Sequence, residues 1–122
     1  MDVLLDTHTF LWWDEGELSA AVVRRIQEAD DVFVSAASAW EISIKAALGK
    51  IEARVSLAEA IRDYGFLPLP IRVEHGDAVR ALPPHHRDPF DRMLLAQARI
   101  EGLTLVSRDQ VLSRYGIPVV WE

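Results

Sequence analysis

Two rhythms of hydrophobic positions alternate along the chain. Short unbroken apolar runs at 3–5 (VLL), 32–34 (VFV) and 103–107 (LTLVS) read as buried strands. The segment IPVVWE at 117–122 reads as a last strand. FLPLPI at 66–71 reads as a short extended piece, and its two prolines suit a sheet edge. Between these runs the apolar period lengthens to that of a helix. THTFLWW at 7–13 predicts a short helix or turn. LSAAVVRRIQEAD at 18–30 predicts a helix capped by Ser19. SAASAWEISIKAALGK at 35–50 is helical from about Ser35 and stops at Gly49, with Trp40, Ile44, Ala47 and Leu48 as its apolar stripe. SLAEAIRDYG at 56–65 starts at the cap Ser56 and ends at Gly65. VEHGDAVRAL at 73–82 is a further helix, PPHHRDP at 83–89 a loop, and RDQVLSRYG at 108–116 a short helix. DPFDRMLLAQARIEG at 88–102 is a helix with Pro89 in its first turn and Gly102 at its end.

Apolar strands alternating with helices predict an α/β fold whose mostly parallel sheet is covered on both faces. In such sheets ligands bind beyond the carboxyl ends of the strands, which is where chemistry is sought. The chain of 122 residues is long enough for one domain with its own core, so residues 1–122 are expected to form a single unit. Half the residues are hydrophobic and there is no cysteine, which removes disulfides, thiolate zinc sites and thiol nucleophiles. No apolar run approaches membrane-spanning length and no basic-then-apolar leader opens the sequence, so a cytoplasmic protein without a membrane partner is expected. The net charge of −6 is concentrated early: residues 1–44 carry nine acids against two bases. This is unlike a generic basic nucleic-acid module, but acids that hold cations are compatible with a nucleic-acid substrate.

Four acids stand out by position: Asp6, Glu41, Asp91 and Asp109. Three have ordinary structural explanations. Ser38-x-x-Glu41 has the form of a capping box. Asp88, Pro89 and Asp91 have the spacing of an N-cap, N1 and N3. Asp109 follows Ser107, a candidate cap, into a first helical turn where the dipole favours an anion. Asp6 is different, because it ends a buried strand, although capping the turn that follows is open to it. A parallel fold can bring all four to one edge. Two unit charges about 4 Å apart repel by about 4 kcal/mol at an effective dielectric near 20. Such a cluster takes up protons or binds a cation. Hard oxygen donors without Cys point to Mg²⁺ or Mn²⁺, and such an ion beside a water points to phosphoryl-ester chemistry.

The segments LLDTHTFLW, SAASAWEISIKAALGK, DPFDRMLLAQA and GLTLVSRD are similar, in order and spacing, to the PIN-domain ribonucleases. They most resemble the VapC-type toxins of toxin–antitoxin pairs. The resemblance spans nearly the whole chain. It implies a three-layer α/β/α sandwich around a mostly parallel sheet. It implies Mg²⁺- or Mn²⁺-dependent RNA cleavage leaving 5′-phosphate and 3′-hydroxyl ends. Asp6, Glu41, Asp91 and Asp109 match the family's acidic quartet, with Asp6 and Asp91 as metal ligands. The pattern selects Asp91 over Asp88, which becomes the N-cap. Two partners are also implied: a second copy of the chain, and a small antitoxin whose amphipathic segment blocks the site.

Around the quartet, Thr7, Ser107 and Asp88 are candidates to support the acids through hydrogen bonds, with helix capping as the alternative. Lys45, Arg87, Arg92 and Arg108 lie beside them and are candidates for RNA phosphate contacts, or else solvated charges. His85 and His86 are read as loop residues, His8 is ambiguous, and His75 is expected on the surface. Trp12 and Trp13 are expected mainly in the core, with a partner surface as the alternative. Two other enzyme classes fit poorly. A phosphotransfer receiver needs a late Lys, yet none follows Lys50. A haloacid-dehalogenase-type phosphatase needs an acid where His8 stands. A non-catalytic module that grips a cation or a partner's arginine is the main competitor.

Overall fold

In the computed structural model, which describes residues 1–52 and 56–122, five strands form one parallel sheet. The strands are β1 (Val3–Leu5), β2 (Val32–Ser35), β3 (Leu67–Leu69), β4 (Thr104–Val106) and β5 (Val119–Val120), in spatial order β3-β2-β1-β4-β5. β1 is central: Val3 pairs with Val32 on one side and Thr104 on the other. β3, with Pro68 in its middle, lies at an edge, where the missing N–H does least harm. Every observed pairing is parallel, so the expectation of a mostly parallel sheet is met in full.

The helices are α1 (Thr7–Glu15), α2 (Ala20–Glu28), α3 (Ala36–Ala47), α4 (Leu57–Asp63), α5 (Val73–Arg80) and α6 (Pro89–Glu101), with a 3₁₀ helix at Gln110–Tyr115. Strand alternation splits the core in two. Val3, Leu5 and Val106 pack with Phe10, Val22, Ile26 and Ile61. Leu4 and Leu105 pack on the other face with Leu94, Leu95 and Leu112. Each such leucine, fully buried, contributes about 1.5–3 kcal/mol. The order of layers is therefore set by the two-residue period of three short strands.

The structure corrects the reading of α3. Trp40, Ile44 and Leu48 do not pack inward; Trp40 is 61% and Leu48 64% exposed, and Ala47 is exposed too. The buried face is Ala37, Ser38, Glu41 and Ile42. Apolar spacing found a stripe but not which way it faces. The inward face carries two polar residues because it borders the carboxyl edge of the sheet. A second correction concerns His75, which is fully buried. Its Nδ1 accepts the Arg72 N–H at 2.9 Å and closes the start of α5, so its surroundings are set by a cap that apolar patterning does not reveal.

A candidate metal-dependent active site

Asp6 follows β1 directly and is held by the sheet on one side and α1 on the other. Its N–H donates to the Val106 carbonyl at 3.2 Å, which extends the ladder by one residue. Its Oδ1 accepts the Thr9 N–H at 2.9 Å and the Thr9 hydroxyl at 2.5 Å. Its Oδ2 accepts the Ser107 hydroxyl at 2.5 Å. Asp6 is thus the N-cap of α1 and also a fixed carboxylate at the strand end, so capping does not take it out of the site. The Thr9 hydroxyl also lies 3.1 Å from the Val106 carbonyl. The hydroxyl that supports Asp6 from α1 is Thr9. Thr7 instead donates to Ser38 Oγ at 3.0 Å and ties α1 to α3.

Ser107 joins Asp6 to Asp109. Its oxygen accepts the Asp109 N–H at 3.1 Å while its proton goes to Asp6. The cap of the 3₁₀ helix is Asp109 itself, whose Oδ1 accepts the Val111 N–H at 3.0 Å. Its Oδ2 is left for another donor, and His86 supplies it. His86 Nε2 lies 3.0 Å from Asp109 Oδ2 and 3.4 Å from Asp91 Oδ2. Its Nδ1 accepts the Asp88 N–H at 3.1 Å. With Nδ1 occupied as an acceptor, the neutral ring carries its proton on Nε2, facing both carboxylates. His86, expected from the sequence only as a loop residue, is brought by the fold between Asp91 and Asp109. Its adjacency to His85 excludes a helical metal pair, and its real role depends on how the loop folds back over α6.

Asp91 sits at N3 of α6. Asp88 caps that helix, its Oδ1 accepting the Phe90 and Asp91 N–H groups at 2.8 and 3.2 Å. Burial, together with the negative charges of Asp88, Asp6 and Glu41, pushes the Asp91 carboxyl up to about 7, partly offset by His86. Glu41 is 3% exposed. Its Oε2 accepts the Lys45 ammonium at 2.7 Å, one helical turn on, whereas Oε1 is buried without a hydrogen-bond partner among the described residues. The capping-box explanation of Glu41 does not hold: Ser35 caps α3, its oxygen accepting the Ala37 N–H, and Ser38 lies inside the helix.

Two of the candidate phosphate ligands are committed elsewhere. Lys45 is held on Glu41. Arg92 donates to the carbonyls of Val79, Leu82, Pro83 and His86 and so staples the 81–88 loop to α6. Both charges are engaged by neighbouring acceptors of the chain itself. Arg87 and Arg108 are exposed, and Arg108 lines a recess of about 350 Å³ with Asp6, His8, Trp12 and Asp109.

The donor set fits a hard divalent cation. Oxygens of Asp91 and Asp109 lie within 4.8 Å of each other and of the His86 nitrogen, whose N–H orients the two carboxylates and is not itself a ligand. Asp6 and Glu41 add charge close enough to perturb Asp91, and Glu41 Oε1 is a buried acceptor still to be satisfied. A pocket that raises one acid and leaves another unpaired gains from a cation that offsets both penalties.

This fold and this edge of acids define the class. The PIN domain model matches residues 3–118, and the chain belongs to the PIN-domain family. It is similar to Ribonuclease VapC22 of Mycobacterium tuberculosis (strain ATCC 25618 / H37Rv), at 32% identity over 132 residues, covering 98% of each chain. Its fold is shared with solved structures of low identity. One is VapBC2 from Rickettsia felis bound to a DNA fragment from its promoter, with TM-score 0.75, 10% identity, and 100% of this chain and 99% of that one covered. Another is DNA-bound VapBC from Salmonella typhimurium, with TM-score 0.72, 17% identity, and coverage of 99% and 98%.

Proposed function

We propose that this chain is a single-domain, Mg²⁺- or Mn²⁺-dependent endoribonuclease that acts as the toxin of a VapBC-type toxin–antitoxin pair in the cytoplasm. The observation that carries the reading is the continuous chain of contacts Asp6–Ser107–Asp109–His86–Asp91 at the carboxyl edge of the sheet. The similarity to Ribonuclease VapC22 supports RNA as the substrate.

Asp6 and Asp91 are the residues assigned to hold the cation, with Glu41 and Asp109 completing its surroundings. When bound, such a cation makes a water acidic enough to supply hydroxide and offsets charge on the phosphoryl oxygens. The chain's own groups set up the rest. Thr9 and Ser107 fix both oxygens of Asp6 before substrate arrives. Lys45 anchors one oxygen of Glu41 and leaves the other free. His86 holds the Asp91 and Asp109 side chains at one spacing. Arg108, exposed beside Asp109, is the candidate for holding a phosphate of the RNA backbone, and Arg87 is a further candidate. The exposed apolar face of Trp40, Ile44 and Leu48 supports a protein partner, the antitoxin or a second copy of the chain.

The test is an RNA cleavage assay with Mg²⁺, Mn²⁺ or EDTA on wild type, Asp6→Asn and Asp91→Asn. Cleavage should need the cation and be lost in both variants. Equal cleavage by all three proteins would assign the activity to a contaminant. Cation binding without cleavage would leave a non-catalytic binding module.

A further inference from the structure

The two adjacent tryptophans separate in the structure. Trp13 packs on the core: its ring lies 5.3 Å from Phe66 and meets Tyr64 edge-on at 6.0 Å. Trp12 belongs to neither core cluster. It stands between His8, with ring centroids 5.7 Å apart, and Trp121, at 6.0 Å and 65°. It also lines two recesses at once. One is the recess with Asp6 and Asp109. The other, of about 500 Å³, is bounded by Glu17, Leu18, Ser19 and Trp121 as well. Arg108 lines both.

This arrangement puts an aromatic ring and one cation at the junction of two neighbouring recesses, one of which holds the acids. Its chemistry suits a nucleobase with its attached phosphate. Aromatic faces stack on bases of any sequence, and an arginine beside them holds the backbone. Glu17 and Glu122 on the outer rim offer only acceptors, which disfavours a second phosphate there and favours a base edge. Asp6 and Asp109 in one recess, and Glu17 and Glu122 in the other, outnumber Arg108, so a partner's guanidinium is the competing occupant, and it is the aromatic ring beside Arg108 that favours a base with its phosphate.

Resting on the ribonuclease reading, we propose that Trp12, framed by His8 and Trp121, is the stacking platform for a base of single-stranded RNA flanking the phosphate at Asp6 and Asp109. Trp12 selects for unpaired RNA, because a base inside a duplex keeps its faces covered by its neighbours.

The experiment measures fluorescence anisotropy of labelled oligo(A), oligo(C) and oligo(U), with Ca²⁺ replacing Mg²⁺ to slow cleavage. Trp12→Ala should weaken binding about 5- to 100-fold, and Trp12→Phe should restore most of it. An oligomer carrying abasic positions should lose a similar factor with wild type and little more with Trp12→Ala. Because Trp12 lies outside both core clusters but touches His8 and Trp121, Trp12→Ala should shift urea unfolding only modestly, stay fully folded under assay conditions and bind Mn²⁺ as well as wild type does. If wild type cleaves RNA and Trp12→Ala matches it in binding, kcat and KM, the platform is refuted while the ribonuclease reading stands. The recess would then belong to a protein partner. If wild type neither binds nor cleaves RNA, both fall.

Discussion

Asp91 is the residue whose environment makes the most quantitative demand on the protein. Its carboxyl ionises near 3.8 when unfolded and near 7 in the folded chain, because burial and the charges of Asp88, Asp6 and Glu41 oppose its ionisation. Between these two values the metal-free native state keeps a proton that the unfolded state has released. Stability therefore falls as pH rises through that window and levels off above it. From about pH 5 to about pH 8 the affected span is about 2 pH units, worth roughly 3 kcal/mol at about 1.4 kcal/mol per unit. The solvent that still reaches the carboxylate reduces this to about 2 kcal/mol. An asparagine there has no proton to lose. Relative to wild type, Asp91→Asn should gain about 2 kcal/mol between the two pH values, or about 6 °C in Tm. The assay is urea unfolding followed by circular dichroism in EDTA. Taking the difference between the proteins cancels the other titrating groups. Parallel pH profiles would refute the claim that Asp91 is forced to ionise at a cost. Adding Mg²⁺ at the higher pH should stabilise wild type more than Asp91→Asn, since only wild type has that cost to relieve.

Three further variants separate supporting residues from contact residues. His86→Ala should lower Mn²⁺ affinity about 10- to 100-fold, as loss of a group that orients ligands does. The wild-type Mn²⁺ spin-resonance spectrum should lack coupling to a directly bound nitrogen, because the ring presents N–H to the carboxylates; a strong coupling lost in the variant would make His86 a ligand instead. Arg108→Ala should reduce the salt dependence of RNA binding by about 0.7 in log–log slope, the loss of one phosphate contact. Arg92→Ala should leave that slope unchanged and destabilise the fold by about 2 kcal/mol, since it abandons four carbonyls. The reverse pattern would show that the two arginines have been assigned to each other's roles.

Residue pattern alone was enough to assign the layers and to single out the candidate acids. Three short apolar runs could satisfy both faces only in the middle of a covered sheet, and Asp6 had to lie where the first of them ended. Pro89 and Gly102 delimited α6 through fixed and permissive φ, so Asp91 had to fall in its first turn. What pattern could not supply was direction and partnership. Periodicity found a stripe on α3, but whether Trp40 or Glu41 faces inward depends on what the neighbouring elements need there. Adjacent residues were also separated by packing: Trp13 joined the core and Trp12 the rim of the site, and His86 rather than His85 reached the acids. These choices came from long-range packing, because hydrogen bonds between residues as distant as Asp6 and Ser107, or His86 and Asp109, leave no periodic trace in the chain. The site's acids were written locally, each at the start of a helix. Their convergence, and the pressure it puts on Asp91, comes from folding four remote segments onto one edge of a sheet.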